Sequence, residues 1–244
     1  MRDAFSTDRR VVVLGFARMA EAFGNAFLLV VLPLYIKSSV VRGSTFGLSE
    51  SFLTGILLSL TGLIASGGQP LLGYVSDVVQ KRRVFIVAGL GVLAFTDLIY
   101  IVAATYVALF AIRFVQGLGN MLTVPTTIAL INEYSEPGTR GENMGIYTTL
   151  RMVGTGLGPV AAGLIIDRGP YKNPVLPGRE IALEGTGIAV TVMEQFSGFD
   201  AAFIVAAIGT AMSAVLVTVF VFDPEDIGLD PDRTKRPTFG LRGV

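Results

Sequence analysis

Six separate stretches of this chain run for twenty or more residues with at most two charged side chains each: 11–36, 52–76, 84–104, 106–131, 143–166 and 201–222. A bilayer core of about 30 Å needs roughly 20 apolar helical residues to cross it. In lipid every backbone polar group must be satisfied within its own segment or within a closed barrel, so continuous apolar runs of this length read as helices. The composition agrees. Of 244 residues 52% are hydrophobic and 16% charged, where soluble domains carry about 25% charged residues. The expected fold class is an all-α integral membrane protein with six transmembrane helices. The first stretch is too long for a signal peptide, holds Arg18 and Glu21, and is followed by no small-residue cleavage site.

Composition also excludes chemistry. The chain has no Cys and no His, so disulfides, thiol nucleophiles, imidazole metal ligands and Ser-His-Asp relays are unavailable. The acidic residues do not cluster at ligand spacing. No metal, no cofactor and no enzymatic activity are expected, and proton chemistry falls to carboxylates. Nineteen basic residues balance nineteen acidic ones, which leaves no net charge to hold nucleic acid.

An even number of spans puts both termini on one side. With the termini inside, eleven Lys and Arg lie on that side against five outside, which follows the positive-inside bias and predicts cytoplasmic termini in the plasma membrane. Connections are short except for an outer loop at 167–200. There Ile181–Leu183 and Ile188–Val192 flank Glu184-Gly-Thr-Gly187, a pattern that predicts a small hairpin. The bundle is expected over 1–222, followed by a cytoplasmic tail or linker at 223–244.

The chain repeats itself. Phe85-Ile-Val-Ala-Gly-Leu-Gly91 matches Phe203-Ile-Val-Ala-Ala-Ile-Gly209, Arg18-x-x-Glu21-x-x-Gly24-Asn25 matches Arg113-x-x-Gln116-x-x-Gly119-Asn120, and Pro70 matches Pro159. The three matches keep their order, so spans 1–3 correspond to spans 4–6. Three spans per unit is odd, and the second unit must run inverted. Inverted three-helix repeats are a transporter architecture with its site near the midplane.

Arg18, Glu21 and Asn25 fall on one helical face. Glu21 lies about 15 Å past the start of its span by helical rise. A charge at the bilayer centre costs about 2.5–3.5 kcal/mol on the insertion scale, so it must face a cavity or a partner. Arg113, Gln116 and Asn120 repeat the pattern in the fourth span. Arg113 cannot shed its charge, and Glu21 and Asp97 are its candidate partners. Asp97, toward the outer end of span three, is expected where water can reach it. These seven residues form the expected substrate and proton pathway, with Glu21 as the proton carrier. The six on spans one and four are expected on a face that a second bundle must cover.

Two further stretches complete the picture. Gly73-Tyr-Val-Ser-Asp77-Val-Val-Gln-Lys81-Arg82-Arg83 joins spans two and three; Gly73 would permit close helix approach, and Asp77 can accept hydrogen bonds from a neighbouring helix N-terminus. Gly154-Thr-Gly156-Leu-Gly158-Pro159-Val-Ala-Ala-Gly163 sits in span five, where small residues allow close contact and the proline interrupts the backbone ladder.

The Gly73–Arg83 stretch resembles the G-x-L-x-D-R-x-G-R-R signature of the major facilitator superfamily. Arg113-Phe-Val-Gln-Gly-Leu-Gly119 resembles its R-x-x-Q-G-x-G motif, and Gly154–Gly163 is similar to the G-x-x-x-G-P-x-x-G-G motif of its antiporters. The resemblance covers roughly residues 9–222. It implies a cytoplasmic latch at Asp77 and Lys81–Arg83, a role for Arg113 in proton coupling, and an export character marked by Gly158 and Pro159. Val78 and Gln80 depart from the usual Arg or Lys and Gly of the latch, and Ala162 from a Gly of the antiporter motif. The family has two six-helix halves, and this chain resembles the first.

The expected function is therefore transport: the N-terminal half of a proton-coupled exporter of small organic molecules, working by alternating access. Its expected partners are the lipid bilayer, a small-molecule substrate, protons, and a second six-helix bundle or a second copy of the chain. A uniporter or importer, and a non-transporting six-helix protein or truncated remnant, are the alternatives.

Overall fold

The computed structural model describes residues 9–223 except 39–40, 44, 46, 137, 173–179, 184–187 and 192–194. The expected tail beyond 223 and the turn at 184–187 lie outside the described residues. Six long helices carry the fold: α1 (Arg9–Lys37), α2 (Glu50–Val79), α3 (Arg82–Ile99, continued by a 3₁₀ turn at Tyr100–Val102), α4 (Tyr106–Tyr134), α5 (Arg140–Asp167) and α6 (Gly198–Phe220). Each is long and apolar enough to cross a membrane. Most run two or three residues beyond the apolar stretch at an end, because polar caps extend helices past the hydrophobic run. Ser49 accepts from the Phe52 amide and Thr105 from the Ala108 amide. Ser197 and Asp200 form a reciprocal capping box that starts α6 at Gly198. The helices continue through Pro33, Pro70, Pro125 and Pro159.

Between α5 and α6 the chain leaves the bundle as two short antiparallel ribbons. β1 (Tyr171–Lys172) pairs with β4 (Gln195–Phe196), and β2 (Glu180–Leu183) pairs with β3 (Ile188–Thr191). The second ribbon is the hairpin anticipated from its two apolar runs, with Leu183 opposite Ile188. Gly169 and Gly198 touch at the base of the loop; a Cβ on Gly169 would lie 2.7 Å from the Gly198 nitrogen.

The packing has the symmetry of the repeat. α1 packs on α5 as α4 packs on α2, α1 on α6 as α4 on α3, and α3 meets α6 between them. Exchanging helices 1–3 with 4–6 maps this set of contacts onto itself. The repeated glycines do equivalent work: a Cβ on Gly24 would sit 3.5 Å from the Ala206 carbonyl, and one on Gly119 3.1 Å from the Gly89 carbonyl. α1 is the most enclosed of the spans, whereas α2 and α5 bury only 22% and 17% of their most apolar windows.

Two apolar clusters fill the bundle. One lies at the loop end, around Phe27, Leu32, Tyr100, Leu109 and Phe203. The other lies at the end that carries the start of α1 and the end of α6, around Leu14, Ile86, Leu130, Tyr134 and Val217. Between them is a layer of polar and charged side chains.

Candidate functional site

The layer is built from four helices. α1 supplies Arg18 and Glu21, α3 supplies Asp97, α4 supplies Arg113, Gln116 and Asn120, and α6 supplies Thr210. Glu21, Asp97, Arg113 and Gln116 are each 4% exposed or less, and Asn120 is also buried. For Glu21, Arg113, Gln116 and Asn120 the expectation of a face open to a second bundle is corrected: α3 and α6 pack against α1 and α4 and these four side chains are buried within the bundle, whereas Arg18 and Asn25 are partly exposed.

Arg18 forms an ion pair with Glu21 one helical turn along α1. Arg113 makes the equivalent contact on α4, its Nη1 donating to the Gln116 Oε1 at 3.3 Å, and lies within 3.5 Å of the Thr61 hydroxyl on α2. The repeat thus preserves an arginine beside an acceptor, but the acceptor is charged in one unit and neutral in the other. The missing charge comes from α3. Gln116 Nε2 donates to Asp97 Oδ1 at 2.8 Å, Thr210 Oγ1 donates to Asp97 Oδ2 at 3.1 Å, and the Tyr100 hydroxyl donates to Gln116 Oε1 at 3.1 Å. Two guanidinium groups and two carboxylates leave the layer with no formal net charge.

This corrects two expectations. Arg113 pairs directly with neither Glu21 nor Asp97; Gln116 stands between Arg113 and Asp97. Nor is Asp97 at a wet helix end: it is 3% exposed and held between Gln116 of α4 and Thr210 of α6. Glu21 lines two small cavities of about 10 Å³, each with room for about one water. One is shared with Arg18, Thr123 and Thr127. The other is shared with Asn25, Asp97, Gln116 and Thr210. Glu21 Oε1, Arg18 Nε, and Arg113 Nε and Nη2 are buried without a hydrogen-bond partner among the described residues.

At the terminal end, Arg82 bridges three helices, its Nη2 lying 3.0 Å from Asp77 at the end of α2 and 2.6 Å from Glu133 near the end of α4. Lys81 is exposed. Asp77 was expected to cap a neighbouring helix N-terminus. The residue that does so is Asp223, whose Oδ1 accepts from the Arg83 amide at 2.9 Å and caps α3, which has no side-chain cap of its own. Arg83 also donates to the Thr218 carbonyl and lies over the Phe222 ring, while the Tyr134 hydroxyl donates to the Phe222 carbonyl.

The glycine motif of α5 splits in two. A Cβ on Gly154 would meet the Met19 carbonyl, and one on Gly158 would lie 2.7 Å from the Phe23 carbonyl, so both permit α5 to lie against α1. Gly156 and Gly163 face outward with nothing near them, and Pro159 is exposed beside them. Gly73 likewise has no neighbour on its side, so the close approach expected there is not made within the bundle. Sequence reasoning missed Thr61, Tyr100, Thr210, Glu133 and Asp223. Thr210 and Ser213 were visible as hydroxyls one turn apart in the uncharged span of α6, and Ser213 does bond the Ala17 carbonyl of α1 at 2.7 Å.

The sequence profile of the Major Facilitator Superfamily matches residues 14–243. The chain is 33% identical over 159 residues to the puromycin resistance protein of Streptomyces alboniger, covering 64% of this chain and 30% of that protein. It is 27% identical over 173 residues to a multidrug resistance protein of Proteus mirabilis, covering 67% of this chain and 42% of the relative. Among solved structures, a bacterial homologue of the human lysosomal transporter Spinster, inward-facing and unoccupied, superposes with a TM-score of 0.64 at 17% identity, over 88% of this chain and 43% of that one. The chain spans less than half the length of each of these relatives.

Proposed function

This chain belongs to the major facilitator superfamily, and from that premise we propose that it is the six-helix half of a proton-coupled exporter of small organic molecules. It is a multi-pass membrane protein of a transporter family, with drug-resistance proteins among its relatives. Export, proton coupling and a plasma-membrane location with cytoplasmic termini are our reading. The observation that carries it is the enclosed layer of two arginines and two carboxylates midway between two apolar clusters. Charges at that depth are expensive, and a bundle that needed only to pack would fill the layer with apolar side chains. A layer held by exchangeable hydrogen bonds can take up a proton and repack, which is what alternating access requires.

A second bundle completes the transporter in this reading. Gly55, Gly62 and Gly67 on α2 and Gly145, Gly156 and Gly163 on α5 have open space at their Cβ positions. In a membrane helix such glycines favour contact with another helix over contact with lipid. The two faces correspond under the repeat, so one partner with the same symmetry can cover both. In this arrangement Asp77, Arg82 and Glu133 hold the terminal end closed around α2, α3 and α4, and breaking them opens it.

The test is flux. Everted vesicles from cells producing the chain together with the second bundle that completes it, given a panel of fluorescent dyes, should accumulate dye when a proton gradient is imposed and lose it when the gradient is collapsed. Dye movement indifferent to the gradient would place the protein among uniporters instead.

A further inference from the structure

The charged layer contains two carboxylates that are held differently. Glu21 touches a guanidinium directly. Among the described residues Asp97 has no ion-pair partner; its two oxygens accept from neutral groups, Gln116 and Thr210. The hydrogen-bonded link from Asp97 to a positive charge is the Gln116 side-chain amide, whose nitrogen serves Asp97 and whose oxygen accepts from Arg113. A buried carboxylate without a contacting cation is costly to keep ionised, and a cation in contact offsets that cost. Both carboxylates line the same cavity with Asn25, Gln116 and Thr210.

We propose that Asp97 is the proton-binding carboxylate of the layer, with Glu21 a fixed counter-charge to Arg18 and Gln116 the relay that passes the protonation state of Asp97 to Arg113. This deepens the proton-coupled reading and depends on it only for its use in transport. The step balances simply. A proton from water reaching the cavity forms an O–H bond on an Asp97 oxygen, and the carboxylate becomes a neutral acid. The layer changes from no net charge to one positive charge, now carried by Arg113 without a compensating anion. The Gln116 nitrogen then faces a neutral acid and holds it less strongly, so its oxygen is free to leave Arg113. Asp97 belongs to α3, Gln116 and Arg113 to α4, and Thr210 to α6, so one proton alters the contact among all three helices. The other ionisable groups that face it are Glu21 from α1 and Tyr100 after α3, and Tyr147 from α5 faces the Arg18–Glu21 pair. None of these contacts an Asp97 oxygen.

The measurement is infrared difference spectroscopy of the full chain in lipid as pH is stepped, read at the carbonyl stretch of a protonated carboxylic acid. The wild-type chain should show a band that appears on acidification, shifts when the protein is produced with carboxyl-labelled aspartate, and stays in place with labelled glutamate. Asp97→Asn should lose it and Glu21→Gln should keep it. The labelling arm uses unmodified protein, so the result stands even where a variant folds poorly. A band that shifts with labelled glutamate, a band that survives Asp97→Asn, or no band in the wild type would overturn the assignment. If the aspartate band is present but vesicle flux ignores the proton gradient, the assignment stands and the proton-coupled reading falls.

Discussion

Arg18 and Glu21 are one turn apart and enclosed together, so removing either strands the other. Breaking a buried ion pair by removing one partner costs about 3–5 kcal/mol, while replacing both with apolar groups is often neutral. Glu21→Leu and Arg18→Leu should each lower the unfolding temperature in detergent clearly, and the double substitution should recover most of the loss. An additive double mutant would show that the pair does not form. At the end of α2, Gln80 has φ 58° and closes the helix through its amide to the Ser76 carbonyl. A left-handed conformation costs a non-glycine residue about 1–2 kcal/mol, partly offset by the greater freedom glycine has when unfolded. Gln80→Gly should therefore stabilise the protein by about 0.5–1 kcal/mol, read as a small rise in unfolding temperature. The candidate charges were legible in the sequence because ionisable residues are rare inside apolar spans. Their pairing was not. Whether Arg113 meets Glu21 or Asp97 depends on how α3 is rotated against α4, and the packing of α6 that brings Thr210 onto Asp97 leaves no mark in an apolar run.

Helix ends and helix contacts carry the next layer of expectation. α3 begins without a local cap and borrows Asp223 from 140 residues away. Loss of a helix N-cap costs about 1 kcal/mol. Asp223→Ala should therefore speed hydrogen exchange at the first amides of α3 several-fold while leaving α1 unchanged, and equal exchange across both helices would contradict the cap. No sequence pattern announces a cap supplied over such a separation. Gly154 and Gly158, by contrast, were legible as contact residues, since small side chains at helical spacing in a span ask for a close neighbour. Gly156 and Gly163 share the motif and touch nothing in the bundle. The loop between α5 and α6 was legible as the one long connection, and Gly169 meeting Gly198 brings its ends together at the bundle. Replacing residues 171–196 with a short turn should leave expression and the folding of the bundle intact, checked by thermal unfolding, and loss of the folded protein would make the loop part of the core.

At the scale of the whole molecule, the repeat read from three short matches reappears as a symmetric set of helix contacts. The symmetry is broken at one place, where Glu21 on α1 answers to Gln116 on α4 and Asp97 on α3 supplies the second carboxylate. That break is the feature on which the proposed proton site rests. The proposed orientation rests on the charge split across the connections: a single Cys placed at position 80 should react only from the cytoplasmic side, and one at position 185 only from outside. The central claim is that the enclosed layer couples protons to transport, and gradient-driven efflux in wild-type and Asp97→Asn/Glu21→Gln vesicles tests it most directly. The account predicts that the wild-type chain with its partner bundle pumps dye while a proton gradient lasts, and that the double variant with the same partner equilibrates dye without being driven by the gradient. Full gradient-driven pumping by the double variant would contradict it.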